Sequence, residues 1–218
     1  MAQYTRANAW NNGGTFDNPD LLWYAKGVGA MQARELSDSS SWWFFAAIHG
    51  QYVNPPETSF PGWGFLPAPP PVPTSPEPSQ SDQDQYWDQC QHQSWYFPPW
   101  HRGYLLALEA QIRADVINLG GPATWALPYW NYFGPGQEFN IPPAFTQQTL
   151  PDGSPNSLFV TARYGPNDDG NIYVPIPPVN QDCMSNDLYT GSDAATPPPG
   201  FGGPDTCLLY TSPSPRDS

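Results

Sequence analysis

Basic residues are scarce in this chain: seven Lys and Arg stand against 20 Asp and Glu in 218 residues, a formal net charge of -13 at pH 7. That balance repels phosphate backbones and anionic lipid surfaces and leaves too few cations for a basic patch, which argues against nucleic-acid and membrane-surface binding. Long apolar runs are also missing, with no stretch of about 18 apolar residues that could span a bilayer. The opening Met1-Ala2-Gln3-Tyr4-Thr5-Arg6 has neither the basic flank nor the apolar stretch of a secretory signal. A soluble chain is expected, its compartment unassigned. Cysteine is confined to Cys90, Cys183 and Cys207, too few for a disulfide framework. Histidine is equally rare: His49, His92 and His101 are all there is.

What is abundant is proline (30), glycine (19) and aromatic side chains, with 10 Trp, 12 Tyr and 11 Phe. The aromatics supply most of the apolar surface for the core of one ordinary domain, while Pro and Gly predict few helices joined by long loops. The first eighteen residues read as an arm or loop. Asn18-Pro19-Asp20 then predicts a helix start, with Leu22, Ala25, Gly29, Ala33 and Leu36 carrying the helical spacing to about Leu36. Gly27 and Gly29 each weaken such a helix by about 1 kcal/mol relative to Ala, and would let another helix come close. Asp38-Ser39-Ser40-Ser41 offers N-caps for Trp42-Trp43-Phe44-Phe45-Ala46-Ala47-Ile48-His49, a segment apolar all round that stops at Gly50.

From about 54 to 81 proline dominates and predicts an extended surface loop, read as an insertion or as a ligand for SH3 or WW domains. Pro99 marks the next helix start and Gly120-Gly121-Pro122 its end. Between them His101, Leu105, Leu108, Ile112, Val116 and Leu119 fall on one face, with Arg102 and Arg113 toward the other side and Glu109 as a carboxylate partner for them. Beyond Trp130 the turn signals Gly134-Pro135-Gly136, Pro151-Asp152-Gly153 and Asn167-Asp168-Asp169-Gly170 predict mostly irregular structure. The fold class is mainly α.

Each histidine alone reads more readily as a satisfied core residue than as a ligand. Together, three imidazoles on separate segments suit copper, zinc or iron and leave a coordination position open for water, oxygen or substrate. Cys90, two residues before His92, could be a ligand, half of a disulfide with Cys183 or a covalent neighbour of the ring.

Cys90-Gln91-His92, then His101-Arg102 preceded by Phe97-Pro98-Pro99-Trp100 and followed by Tyr104-Leu105 and Glu109, resembles the first copper-binding signature of tyrosinases, catechol oxidases and molluscan haemocyanins. Ile48-His49-Gly50 matches that half-site's first ligand, and Leu127-Pro128-Tyr129-Trp130-Asn131 resembles the stretch that follows in many bacterial and fungal members. The likeness is strong over about residues 30–133 and general in character to about 203. It implies a four-helix-bundle core in which His49, His92 and His101 ligate the first copper of a binuclear type 3 centre. It also implies a thioether from Cys90 to His92, an apolar shell from Phe97 and Trp100, and Glu109 as an outer-shell or helix-packing partner, with Arg102 a candidate for its ion pair. No catalytic group beyond the metal ligands is implied. Phenolic small molecules and dioxygen are the implied partners, o-quinones the products; the sequence names no copper chaperone.

The second copper needs three more histidines, and none follows His101. The run Cys207-Leu208-Leu209-Tyr210-Thr211-Ser212-Pro213-Ser214-Pro215-Arg216-Asp217 resembles the translation of a transposase-type sequencing adapter. The expected organisation is thus a partial copper-binding domain over 1–206, cut before the second half-site, and a non-native tail over 207–218. A native reading frame running through Ser218 would refute this. The expected function is the A-site half of a copper oxidoreductase, the fragment itself inactive. The alternatives are a haemocyanin-like oxygen carrier and a non-catalytic domain whose histidines bind zinc or merely pack.

Overall fold

A computed structural model describes residues 4–50, 75–90, 96–160, 171–177 and 179–181. Most of the Pro-rich stretch, His92, Cys183 and the 207–218 tail lie outside the described residues. Four α-helices occur among the described residues: α1 (Pro19–Gln32), α2 (Trp42–His49), α3 (Gln80–Tyr86) and α4 (Phe97–Asn118). Pairing between extended segments is limited there to isolated bridges, such as Asn140 with Tyr173, in line with the irregular structure expected downstream of Trp130.

The Asn18 side chain accepts the Asp20 N–H at 3.0 Å and Pro19 occupies the first turn of α1, where its missing N–H costs nothing. The helix ends at Gln32, short of the expected Leu36. Leu36 is fully buried, but the chain has already turned: the Arg34 guanidinium donates to the Ser40 carbonyl at 3.0 Å and grips both carboxylate oxygens of Asp115 on α4. Ser41, also fully buried, caps α2 by accepting the Phe44 N–H at 3.0 Å, and Gly50 ends that helix in the left-handed region at φ 111°. Replacing Ser41 with Ala is expected to cost about 1 kcal/mol, read from urea unfolding. Of the α2 side chains only Phe44 and Ala47 are buried and the rest are half-buried, so the uniformly apolar helix packs hardest on one face.

α4 begins at Phe97, two residues ahead of Pro99, with both prolines in the first turn, where no intrahelical donor is required. Its core face differs from the predicted one. Leu108, Ile112 and Val116 are buried as expected, whereas Leu105 and Leu119 are 36% and 51% exposed and Glu109 and Asp115 take their place inside. α1 crosses α4 closely because Gly27 has no side chain: a Cβ there would stand 2.8 Å from Ile112 Cγ2. Leu21, Ala25, Val28 and Met31 join Leu108, Ile112, Val116 and Trp125 in one core. The Pro-rich segment ends earlier than expected, since Gln80 and Ser81 belong to α3, capped by Ser79.

The N-terminal arm is anchored. Ala9 donates to the Tyr129 carbonyl at 2.8 Å and Tyr129 donates to that of Ala7 at 2.9 Å, while Arg6 Nε donates to Glu109 at 2.6 Å. Arg113, expected on the outer side of α4, is instead enclosed: it pairs with Glu109, donates from Nε to the Trp125 carbonyl at 2.5 Å and lies 3.6 Å from the Tyr4 ring centroid. Arg102 stays exposed, so the partners of Glu109 are Arg6 and Arg113.

Candidate metal centre

The last residue of α2, the second turn of α4 and the end of the segment after α3 converge at one point. α2 delivers His49. Asp88, at φ 54°, turns the chain out of α3, and the N–H groups of Asp88 and Gln89 then donate to the Ala47 and Ile48 carbonyls, both at 2.9 Å. These two bonds lay the backbone along the end of α2 and bring the buried Cys90 beside His49. α4 supplies His101 one turn after Phe97.

His49 Nε2 and His101 Nε2 stand 3.3 Å apart, and Cys90 Sγ lies 3.5 Å from the first and 3.4 Å from the second. The Phe97 carbonyl, 2.8 Å from His101 Nδ1, can only accept, so Nδ1 carries the proton and Nε2 presents its lone pair to the other two atoms. A backbone carbonyl holding the far nitrogen is the usual way a ligating imidazole is oriented. Nitrogens at this separation can both reach one ion at the ordinary imidazole–metal distance of about 2.0–2.1 Å. The donor set therefore fits a d-block metal, and no carboxylate among the described residues enters the cluster. Of the three predicted ligands the structure brings His49 and His101 together; the third, His92, falls outside the described residues.

Aromatic rings enclose the imidazoles. Phe97 lies 4.1 Å and Trp100 4.9 Å from the His101 ring, centroid to centroid. Tyr104 belongs to the same shell although the sequence reading gave it no role: it stacks on Trp100 at 5.2 Å, sits 5.7 Å from His49 and donates its hydroxyl to the Phe45 carbonyl at 2.8 Å. Its signal was available, four residues after Trp100 and three after His101, hence on the same helical face. Burial pushes the Tyr104 phenol up, Cys90 and Tyr24 adding to the effect, and burial pushes Tyr24 up to about 12.

In the unfolded chain both phenols ionise near 10.0. The stability gained from keeping them neutral is therefore complete below that pH and is lost above it, between about 10 and 12 for Tyr24. In an alkaline titration two tyrosines should ionise only as the protein unfolds. A Tyr104→Phe variant should show one late phenol fewer; an unchanged number would remove Tyr104 from the enclosed set.

Residues 39–207 match the family model described as the common central domain of tyrosinase. The chain belongs to the tyrosinase family. A tyrosinase of Hahella sp. (strain CCB-MM4) is 33% identical over 193 residues, covering 84% of this chain and 38% of its own length. Aureusidin synthase of Antirrhinum majus is 36% identical over 91 residues, 38% of this chain and 15% of that protein. The solved structure of a recombinant latent aurone synthase, a polyphenol oxidase, superposes with a TM-score of 0.51 at 21% identity, over 92% of this chain and 37% of the other. The chain thus spans less than two fifths of the Hahella tyrosinase's length. The mainly α, tyrosinase-like fold and the membership of a copper oxidoreductase family expected from the sequence are both borne out. Among the described residues no helix is long and apolar enough to cross a membrane.

Proposed function

We propose that His49, His92 and His101 hold one copper ion as the A-site half of a binuclear type 3 oxidoreductase, whose whole form oxidises phenols and o-diphenols to o-quinones with dioxygen. The observation that carries this reading is the convergence of the His49 and His101 Nε2 atoms at 3.3 Å with the far nitrogen of His101 tied to the Phe97 carbonyl. Copper, when bound, supplies the redox chemistry. The protein orients two rings from separate helices, while Phe97, Trp100 and Tyr104 keep water from the imidazoles. Glu109 acts on the site at a distance, by fixing α4 through Arg6 and Arg113. Cys90, once crosslinked to a ring carbon of His92, would lock that imidazole and remove a reactive thiol.

Copper content after dialysis tests the ligand set. His49→Ala, His92→Ala and His101→Ala should each drop bound copper well below that of the parent chain, and unchanged content in all three would leave only packing for these residues. The crosslink predicts an intact mass lower by two hydrogens in copper-loaded, aerated protein with no disulfide present. A freely alkylatable Cys90 in that material would sink it.

A further inference from the structure

The backbone that carries Cys90 is set by the fold, because the Asp88 and Gln89 N–H groups just before it are hydrogen-bonded to the end of α2. Its sulfur is equidistant, within 0.1 Å, from the two nitrogens that face each other, at 3.4 and 3.5 Å. It is also buried, at 8% exposure. The His101 Nε2 lone pair already points into the triangle. A thiol proton can bridge to only one nitrogen at a time, whereas a single soft cation can be bonded by all three atoms together.

We propose that, in the reduced chain with its thiol not yet crosslinked, His49 Nε2, Cys90 Sγ and His101 Nε2 form a three-coordinate site for copper(I). This rests on the reading that His49 and His101 ligate copper and adds to it which atom is the third donor when the metal first arrives. Thiolate suits monovalent copper and zinc among the ions imidazole would accept, and the copper reading above decides between the two. Ligation breaks the Cys90 S–H bond and forms a sulfur–metal bond, with the proton released to water. No electron is transferred, so no oxidant is required. His92, the third ligand of the proposed oxidised centre, is not needed for this step.

The 218-residue chain carrying Cys183→Ser and Cys207→Ser, which leaves Cys90 as its sole thiol, provides the test. Loaded anaerobically with one equivalent of copper(I), it should show X-ray absorption with one sulfur scatterer at about 2.3 Å beside nitrogen scatterers. Cys90 should become resistant to alkylation. In competition with a chromophoric copper(I) chelator, Cys90→Ser should weaken binding by about 100-fold or more, beyond what loss of an outer-shell partner does. His92→Ala should change it by less than about tenfold. A spectrum without sulfur, measured on the chain with its site intact and so independent of how any site variant folds, would overturn the inference. So would a His92→Ala loss matching that of His49→Ala. If His49→Ala and His101→Ala bind copper(I) as tightly as the parent, the underlying ligand reading fails instead.

Discussion

Loaded with copper under dioxygen, the 218-residue chain is expected to oxidise o-diphenols no faster than the same copper free in solution. Its three histidines all fall between residues 49 and 101, enough imidazole for one metal ion of the family's pair. Oxidation of an o-diphenol to an o-quinone removes two electrons and two protons, while one copper cycling between its two common states accepts a single electron. On the proposed reading the chain's contribution is to position ligands and surround them with aromatic rings, and neither supplies the second electron acceptor. The loss relative to a family member that holds two copper ions should therefore be total rather than partial. A second copy of the chain could in principle contribute three further imidazoles, so the assay belongs with a measurement of mass in solution. Turnover by a strictly monomeric chain, abolished by His101→Ala, would show that one half-site suffices and would overturn the proposed division of labour.

Local features of this chain were legible from its residues. Asn18-Pro19 and Ser41 start α1 and α2 where capping chemistry says they should, and Gly50 stops α2 in a conformation that glycine adopts without strain. That His49 and His101 come together was legible because several linked motifs associated them, and their Nε2 atoms stand 3.3 Å apart. The failures share a physical cause, namely contacts between residues far apart in sequence. Leu36 is buried by packing after α1 has ended, and Arg34, just past its last residue, pairs with Asp115 on α4. Periodicity placed Leu105 and Leu119 on the core face, but two buried carboxylates with arginine partners claim that side. The arm before α1 looked like a loop because its anchors, Glu109 and Tyr129, lie over a hundred residues downstream. Ligand, disulfide and crosslink were the sequence's alternatives for Cys90, and its neighbours' backbone hydrogen bonds to α2 and the position of its sulfur against both imidazoles are long-range contacts that spacing does not reveal.

Glu109→Ala is expected to destabilise the fold by about 3–5 kcal/mol, the usual cost of removing one partner from a buried ion pair. The Glu109 side chain is 6% exposed and its two oxygens are taken by Arg6 and Arg113, which tie the N-terminal arm and the turn at Trp125 to α4. Without the carboxylate, Arg113, 11% exposed, keeps its charge with only the Trp125 carbonyl and the Tyr4 ring to offset its desolvation. Arg6→Ala should cost far less, about 1 kcal/mol or under, since the Arg6 side chain is 36% exposed and Glu109 retains Arg113. Glu109→Gln should fall between, because an amide oxygen can still accept from one guanidinium. The ordering by urea unfolding is thus Ala at 109 worst, Gln at 109 intermediate and Ala at 6 mildest. Because Glu109 lies two turns along α4 from His101, copper(I) affinity per folded molecule should change by less than about tenfold, below the range for partners that hold a ligand directly. A large affinity loss in folded Glu109→Gln would instead place the carboxylate among the groups that orient the metal ligands. A stability change under 1 kcal/mol for Glu109→Ala would show that the arm and α4 are held by their apolar contacts alone.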